Sequence, residues 1–246
     1  MSRPKVIGVI PARLESTRLP GKVLLDVAGK PLLQRVYDAV RESPSLDELL
    51  VASDSPRVLD FCEQRGLRWM KTGLHQSGSD RLYEVLLKTD GAIYVNIQGD
   101  EPTIRETHLE LLVRPLLAGK AGVSTLCVRV DEDEAADPNA VKVVCSAVNR
   151  ALYFSRRPVP YYREPSGARI YFKHIGLYAY SREALGLFHA LPAGPLEKAE
   201  RLEQLRFLEH GIPIAVAETS ENTIGVDTPE DLERAIRYFR ERETRS

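Results

Sequence analysis

A short apolar run at residues 6–10 ends at Pro11 and is followed by a loop with more basic than acidic residues. An apolar run without polar alternation is typical of a strand buried on both faces, as in a parallel sheet. The loop carries Arg13, Arg18 and Lys22 against the single acid Glu15. Because open α/β sheets bind ligands beyond the carboxyl ends of their strands, we expect an anion site in this loop.

A polyphosphate is the anion that suits this loop best. Arginine offers a planar fork to phosphate oxygens and lysine a compact charge, while Gly21 lets the backbone come close to a ligand. The loop is not a Walker A loop, since Ser16 and Val23 replace the first glycine and the metal-binding hydroxyl, and no G-x-G-x-x-G is present. The residues alone leave open an ordinary solvated loop.

Strand-like and helix-like segments alternate in the first half of the chain. We expect strands at 49–52, 67–70 and 93–97. Four helices are also expected: one with Pro31 in its first turn, one capped by Ser55 with Pro56 as first helical residue, one capped by Ser79, and one opened by a capping box of Thr103 and Glu106. Later segments predict strands at 123–130, 142–147, 152–154 and 171–180, one helix at about 196–210, and a last helix opened by Thr228-Pro229-Glu230-Asp231. Repeated β-α units predict an α/β fold with a mostly parallel sheet flanked by helices.

The composition limits the partners and the compartment. The 246 residues carry a net charge of −1, so we expect neither nucleic acid nor a membrane surface as partner. The three cysteines have no metal-type spacing and are typical of a reducing compartment. The start, MSRPKVIGV, runs into the first strand without a signal-peptide pattern, and no apolar run has membrane-spanning length. We therefore expect a cytoplasmic protein.

Two aspartates follow or precede predicted elements in positions that suit a hard cation. Asp100 follows the predicted strand at 93–97, and Asp227 precedes the last helix. Mg²⁺ is commonly held by one or two carboxylates together with substrate phosphates. Taken alone, Asp100 also fits a turn residue and Asp227 an extra helix-cap acid.

The motif PARLESTRLPGK resembles the nucleotide-binding loop of the CMP-Kdo synthetases (3-deoxy-manno-octulosonate cytidylyltransferases). Further motifs follow in the order of that family: HQSGSDR, NIQGDEP, NAVKVV, ALYFSR, LEQLRFL and GVDTPEDLERA. The resemblance covers almost the whole chain and is weakest at 106–136 and 182–196. It implies a Rossmann-like nucleotidyltransferase sheet in a single domain, residues 1–246. Nucleotide binding falls mainly to 1–130 and 212–246, and a smaller sugar-binding and dimerisation lobe to about 131–211.

The resemblance also implies a reaction: transfer of CMP from CTP to the anomeric hydroxyl of Kdo, with release of pyrophosphate, for lipopolysaccharide biosynthesis. It implies Mg²⁺ as cofactor and a homodimer as assembly. The implied catalytic residues are Arg13, Lys22, Asp100 and Asp227, of which the two aspartates bind the metal. CTP would be bound by Arg13, Arg18, Lys22, Ser77, Gly78, Ser79, Arg81, Gln98 and Asp100. Kdo would be bound by Arg156, His174, Tyr178, Glu203 and Gln204.

Other readings stay open at this point. The nearest is a cytidylyltransferase for another acid sugar, such as 8-amino-Kdo or sialic acid. A non-catalytic nucleotide sensor is disfavoured because Lys22, Asp100 and Asp227 are all present. For the residues of the Kdo set, a purely structural role is also open: a core histidine at 174, a half-buried aromatic at 178 and a solvated acid at 203.

Overall fold

The computed structural model describes residues 3–15, 18–75, 77–164 and 169–244. Ser16, Thr17 and Gln76, which belong to motifs named above, lie outside these ranges. The strands are β1 (Val6–Pro11), β2 (Asp26–Val27), β3 (Lys30–Pro31), β4 (Glu48–Ser53), β5 (Trp69–Lys71), β6 (Ile93–Asn96), β7 (Val123–Val130), β8 (Lys142–Cys145), β9 (Ala151–Ser155), β10 (Tyr171–Ser181) and β11 (Ala215–Thr219).

The α-helices alternate with these strands in the first half of the chain and cluster in the second. They are α1 (Leu32–Val40), α2 (Pro56–Gln64), α3 (Gly78–Lys88), α4 (Glu106–Leu117), α5 (Glu132–Ala136), α6 (Arg182–Ala190), α7 (Pro195–Glu200), α8 (Leu205–Glu209) and α9 (Pro229–Glu243). A short 3₁₀ helix spans Lys22–Leu24. Among the described residues no helix is both long and apolar enough to cross a bilayer.

The chain forms two compact units, and the first comprises Met1–Glu110 and Thr223–Ser246. Its sheet has the strand order β6-β1-β4-β5, and each neighbouring pair is parallel. Strand β1 has a neighbour on each side and is buried along residues 6–10, as its apolar run predicts. The α/β class with a parallel sheet and flanking helices is confirmed.

The second unit comprises Leu111–Asn222 and is built mainly on antiparallel pairing. Strand β7 lies between β10, which is antiparallel to it, and β11, which is parallel. Strand β8 pairs antiparallel with β10 and with β9. The sequence-based assignment of residues 131–211 to sugar binding and dimerisation stays a prediction.

An apolar cluster in the first unit holds α9 against the segment after the basic loop. Val27, Leu32, Val226 and Ala235 form its buried centre, and Leu19 and Phe239 are among the partly buried residues packed on it. Each Å² of apolar surface that this packing removes from water contributes about 25 cal/mol to the stability of the folded chain. The packing therefore fixes residue 227, next to Val226, relative to the loop that carries Lys22.

Three capping predictions are wrong at the level of single residues. Ser77, rather than Ser79, caps α3, because its hydroxyl accepts from the N–H of Asp80 while Ser79 lies inside the helix. Thr103 cannot form a capping box with Glu106, which is already the first residue of α4; the Thr103 hydroxyl instead accepts from the N–H of Ile224 at 2.8 Å. Pro31 is the N-cap of α1 and not its first helical residue.

The single helix expected at about 196–210 is also wrong. Two short helices, α7 and α8, replace it, because Arg201 takes a left-handed conformation with φ 53° that no right-handed helix tolerates. The expected cap of α9 is confirmed. Thr228 accepts from the N–H of Asp231, the Asp231 carboxylate accepts from the N–H of Thr228, and Pro229 is the first helical residue.

Candidate active site

A cavity of about 790 Å³ lies in the first unit. We call it the basic cavity. It collects residues from the loop after β1, the start of α3, the loop after β6 and the residue before the cap of α9. Of the residues predicted to bind CTP or metal, those that line it are Arg13, Arg18, Lys22, Ser77, Gly78, Arg81, Gln98, Asp100 and Asp227. The remaining one, Ser79, is buried within α3 and is not among its lining residues.

Lys22 lies at the centre of the charged part of this cavity. Its Nζ donates to Asp100 Oδ2 at 2.5 Å, to Asp227 Oδ1 at 2.8 Å and to the carbonyl oxygen of Val226 at 3.2 Å. Gly21 before it adopts φ 68°, a left-handed conformation that glycine takes at little cost and that starts the 3₁₀ turn of Lys22. The glycine is therefore needed for the backbone turn itself.

The two aspartates, far apart in sequence, are brought together by the backbone as well. The N–H of Val226 donates to the carbonyl oxygen of Asp100 at 2.9 Å, next to the cluster that packs Val226. Arg18 Nη2 reaches Asp227 Oδ2 at 2.9 Å. Lys22, Asp100 and Asp227 thus share one cavity, as the sequence predicts for a common ligand.

The pKa directions follow from these contacts. Burial by itself lowers the pKa of Lys22, but the charge and hydrogen bonds of Asp100 and Asp227 outweigh it, so the pKa is raised. Burial likewise opposes ionisation of Asp227, while its hydrogen bond and charge interaction with Lys22, and the charge of Arg18, bring its pKa below the ordinary value. Lys22 and Asp227 are therefore both charged at neutral pH.

The carboxylates of Asp100 and Asp227 fit a magnesium ion by their chemistry and by their proximity. Both offer hard oxygen ligands, and one oxygen of each lies within hydrogen-bond distance of the same nitrogen. Among the described residues there is no group of three or more His, Cys, Asp or Glu side chains that could hold a metal. An ion held here by the two aspartates would need its remaining ligands from water and substrate phosphates.

The part of the cavity near α3 carries Ser77, Gly78 and Arg81 of the set that the resemblance implies for CTP. Ser77 donates from its hydroxyl to Asp80 Oδ2 at 3.0 Å. Arg81 is 2% exposed and forms an ion pair with Asp54 at 2.6 Å. His75, which also lines the cavity, contacts Glu84 at 2.6 Å. Burial raises the pKa of Glu84, but bonds from Lys88, His75 and the N–H of Gly73 lower it to about 2.

Arg57, which lines the basic cavity, and Asp54, which pairs with the lining residue Arg81, were not singled out by the sequence reasoning. Arg57 lies in the first turn of α2, and Asp54 lies behind Arg81, just after β4. Neither belongs to a recognisable motif. The only sequence signal for Asp54 is its place directly after a buried strand, where parallel sheets position functional groups.

The residues predicted to bind Kdo all lie in the second unit. His174 and Tyr178 of β10 are neighbours, with ring centroids 5.4 Å apart, and His174 also meets the edge of Phe154 at 5.1 Å. We call these three rings the aromatic cluster. His174 Nε2 is 3.0 Å from the Thr125 hydroxyl.

Desolvation governs both polar groups of the aromatic cluster. It lowers the pKa of His174 to about 3 and raises the pKa of Tyr178 well above its ordinary range, to which the charge of Glu203 also contributes. The Tyr178 hydroxyl is buried and makes no hydrogen bond of normal geometry with the described residues, although the Thr125 hydroxyl is near. A neutral imidazole and a protonated phenol can therefore serve a ligand as uncharged hydrogen-bonding groups.

Arg156 is more strongly engaged than the sequence suggests. Its Nε donates to the carbonyl oxygen of Glu200 at 2.8 Å and its Nη1 to that of Pro138 at 3.1 Å. The fully buried Lys142 supports the same segment, donating to the carbonyl oxygens of Arg156 at 2.7 Å and Asp137 at 2.8 Å. Burial lowers the pKa of Lys142.

The turn that carries Glu203 and Gln204 is held through these contacts. The carboxylate of Glu200 accepts from the Ser155 hydroxyl at 2.8 Å and from the N–H of Arg156 at 2.9 Å. Gln204 is the N-cap of α8 and is buried, while Glu203 is half-buried. Their binding role stays a prediction.

The fold is α/β with a parallel sheet and a basic cavity, and comparison with known proteins makes the class specific. The cytidylyltransferase family model matches residues 7–220. The chain belongs to the cytidylyltransferase family, which confirms the family resemblance seen in the sequence.

Curated relatives and solved structures agree with membership of the cytidylyltransferase family. A 3-deoxy-manno-octulosonate cytidylyltransferase of Acidobacterium capsulatum is 51% identical, with 98% of this chain and 99% of the relative covered. One from Escherichia coli is 46% identical, with 94% of each covered. A solved CMP:2-keto-3-deoxy-manno-octonic acid synthetase complexed with CTP is 44% identical with a TM-score of 0.93, covering 97% of this chain and 99% of that one. A glucose-1-phosphate thymidylyltransferase of Bacillus anthracis, 17% identical with a TM-score of 0.63 over 96% of this chain and 95% of that one, shares the fold.

Proposed function

We propose that this chain transfers CMP from CTP to the anomeric hydroxyl of Kdo and releases pyrophosphate. The observation that carries the proposal is the position of Lys22 between Asp100 and Asp227 in a cavity that Arg13 and Arg18 also line. The names of the relatives support the substrates, since they are 3-deoxy-manno-octulosonate cytidylyltransferases and one solved relative is complexed with CTP.

The proposed roles follow from charge and geometry. A triphosphate carries roughly four negative charges, and repulsion of about 4 kcal/mol per close pair of like charges opposes its binding beside two aspartates. Arg13, Arg18 and Lys22 offset part of this charge and stabilise the leaving pyrophosphate. The cavity orients the α-phosphate for in-line attack by the sugar hydroxyl.

Magnesium is part of the same proposal. Asp100 and Asp227 would hold it, and the bound ion would supply Lewis-acid activation of the α-phosphate. The fit of two adjacent carboxylates supports this, and Lys22, which bonds both of them, would be close enough to bind substrate phosphates as well. A homodimer in the cytoplasm, acting in lipopolysaccharide biosynthesis, is proposed from the family resemblance alone.

For the acid sugar, we propose the aromatic cluster with Arg156, Glu203 and Gln204. The half-buried, uncharged imidazole of His174 and the buried hydroxyl of Tyr178 support contacts with sugar hydroxyls, because both are uncharged hydrogen-bonding groups. Arg156 has five N–H donors and uses only some of them on carbonyl oxygens, so the others can donate to a sugar carboxylate.

The test is release of pyrophosphate from CTP, Mg²⁺ and Kdo, repeated with EDTA and with 8-amino-Kdo or sialic acid as acceptor. We expect turnover with Kdo and loss of turnover with EDTA. Faster turnover with sialic acid or 8-amino-Kdo would assign the chain to another acid sugar. Binding of CTP without turnover on any of the three acceptors would contradict an enzymatic role.

A further inference from the structure

Arg81 is held more rigidly than other arginines that line the basic cavity. It is 2% exposed, and its side chain reaches from α3 to the ends of two strands. Its Nη2 donates to Asp54 Oδ1 at 2.6 Å, and its Nη1 donates to the hydroxyl of Thr72 and to the carbonyl oxygen of Gly73, the latter at 3.3 Å. By contrast, Arg13 and Arg18 are exposed.

The groups that hold Arg81 belong to the sheet edge. Asp54 directly follows β4, and Thr72 and Gly73 directly follow β5, its parallel neighbour. The N–H of Thr72 donates to the carbonyl oxygen of Ser53 at 2.9 Å, so the two strand ends are tied to each other. A guanidinium held from such a frame keeps its donors in fixed directions, unlike one on a free loop.

Asp54 is the only acid that pairs with Arg81 among the described residues. A buried guanidinium without a paired carboxylate is strongly disfavoured, and it turns toward water or toward any other acceptor within reach. Asp54 therefore determines both that the charge stays buried and where the guanidinium points.

Two N–H groups of Arg81 remain for a ligand. Arginine has five N–H donors, and the bonds to Asp54, Thr72 and Gly73 use three of them. Arg81 lines the basic cavity together with Ser77 and Gln98. We propose that Asp54 is a positioning residue that selects CTP over UTP by fixing these donors of Arg81 against the base; this rests on the proposed function, with Arg81 among the residues that bind CTP.

The selection follows from the hydrogen-bonding edges of the two bases. Cytosine presents O2 and N3 as adjacent acceptors, whereas uracil presents O2 as an acceptor and N3–H as a donor. Fixed N–H donors match the first pattern, and with uracil one of them meets another donor. A site built to satisfy a given hydrogen-bonding pattern rejects the analogue that lacks it, because a buried group is then left unpaired. A mobile guanidinium turns away from N3–H and bonds a carbonyl oxygen instead.

The experiment compares Asp54→Asn with wild type by measuring kcat/KM for CTP and for UTP. The amide keeps the shape of the aspartate and removes its charge. We expect the CTP-to-UTP ratio to fall about tenfold or more, the worth of one hydrogen bond to a charged group. Asp60→Asn, at an exposed position of α2, is the matched control and should leave the ratio unchanged.

A second variant tests the proposal in case Asp54→Asn does not fold. Thr72→Val removes the hydroxyl that accepts from Arg81 and keeps Asp54, so it should lower the ratio by a smaller factor. Calorimetric titration of each variant with CTP and with UTP measures the same selectivity without an acceptor sugar. It therefore tests Asp54 even where turnover with Kdo fails, which keeps the two proposals distinguishable.

An unchanged ratio in Asp54→Asn, with kcat/KM for both nucleotides reduced equally, would overturn the proposal and leave Asp54 a structural partner. The same holds if Asp54→Asn fails to fold and Thr72→Val leaves the CTP-to-UTP binding ratio at the wild-type value.

Discussion

The basic cavity of the first unit and the aromatic cluster of the second present their polar groups in opposite ways. In the cavity, charges are held by other charges, with Lys22 between Asp100 and Asp227. In the cluster, the polar groups are uncharged, because desolvation lowers the pKa of His174 to about 3 and raises that of Tyr178. The first arrangement suits a ligand with several charges, and the second suits a ligand rich in hydroxyl groups. Under the proposed function, the basic cavity would recognise the charges of CTP and the aromatic cluster would recognise hydroxyl groups of the sugar.

Asp100→Asn is the variant with the largest expected effect, and it tests whether the charges of the basic cavity are needed for turnover. It removes one of the two carboxylates beside Lys22, and we expect kcat for pyrophosphate release to fall about 1000-fold or more, the scale on which a charge-stabilising group at the reacting centre acts. Thermal unfolding should change little, because Lys22 keeps its bond to Asp227 at 2.8 Å.

The control for that variant is Asp38→Asn. Asp38 is also paired with a lysine, Lys30 at 2.8 Å, but it does not line the basic cavity, so its loss should leave kcat unchanged. Near-normal turnover in Asp100→Asn would remove Asp100 from the mechanism and with it the charge-based description of the cavity.

Arg156→Gln tests the one permanent charge assigned to the acid sugar. We expect KM for Kdo to rise about 100-fold, the value of a lost charge-assisted bidentate contact, with KM for CTP unchanged. Arg157→Gln, the exposed neighbour in sequence, is the control and should change neither value. A parallel rise of both KM values would show that Arg156 acts only by holding Glu200 and Pro138.

The neutral state of His174 predicts a specific loss of stability in acid. Its pKa is about 3 in the folded chain against 6.5 for an ordinary histidine, so the unfolded chain binds a proton that the folded chain does not. The free energy of unfolding should therefore fall as the pH drops from about 6.5 toward 3, by about 2 kcal/mol between pH 7.5 and pH 5.

Urea unfolding of wild type and of His174→Gln at these two pH values measures that change. The variant should lose less stability on acidification, and His210→Gln, at an exposed position of the same unit, should behave as wild type. Glu84, with a pKa of about 2, contributes only below the ordinary carboxyl pKa of 4.5 and does not enter this window. Equal slopes for wild type and His174→Gln would contradict a desolvated imidazole.

Thr228→Ala carries the smallest expected effect and separates support of the cavity from its chemistry. The change removes the hydroxyl that accepts from the N–H of Asp231, and a lost helix cap costs about 1 kcal/mol. Urea unfolding measures the loss, with Thr244→Ala at the other end of α9 as control. Asp227 directly precedes the cap. A fall in kcat under conditions where Thr228→Ala is still fully folded would therefore show that the cap also positions the Asp227 carboxylate.

The sequence predicts regular elements and charged pairs better than it predicts caps and turns. The buried strand at residues 6–10, the parallel sheet of the first unit and the capping box of Thr228 all follow from patterns with a local cause. The meeting of Asp100 and Asp227 at one cavity follows from strand ends and family motifs together.

The sequence-based predictions are wrong where the local structure depends on one backbone angle or on a partner distant in sequence. Nothing local in the sequence marks Arg201 for a left-handed conformation, so the apolar periodicity of 196–210 reads as one helix. Thr103 bonds Ile224, 121 residues away, which no local pattern can indicate. Asp54 has only its place after a buried strand as a signal, since its partner Arg81 comes from another element.

The buried ammonium of Lys142 has a practical consequence. Amine-directed reagents attack lysine only where the nitrogen is reachable and deprotonated, and this one is 0% exposed and occupied by two carbonyl oxygens. Its acylation can proceed only after the surrounding strands separate. Mass spectrometry can compare the acylation rate of Lys142 with that of the exposed Lys198. The rate at Lys142 would then report how often the second unit opens locally, with no added probe.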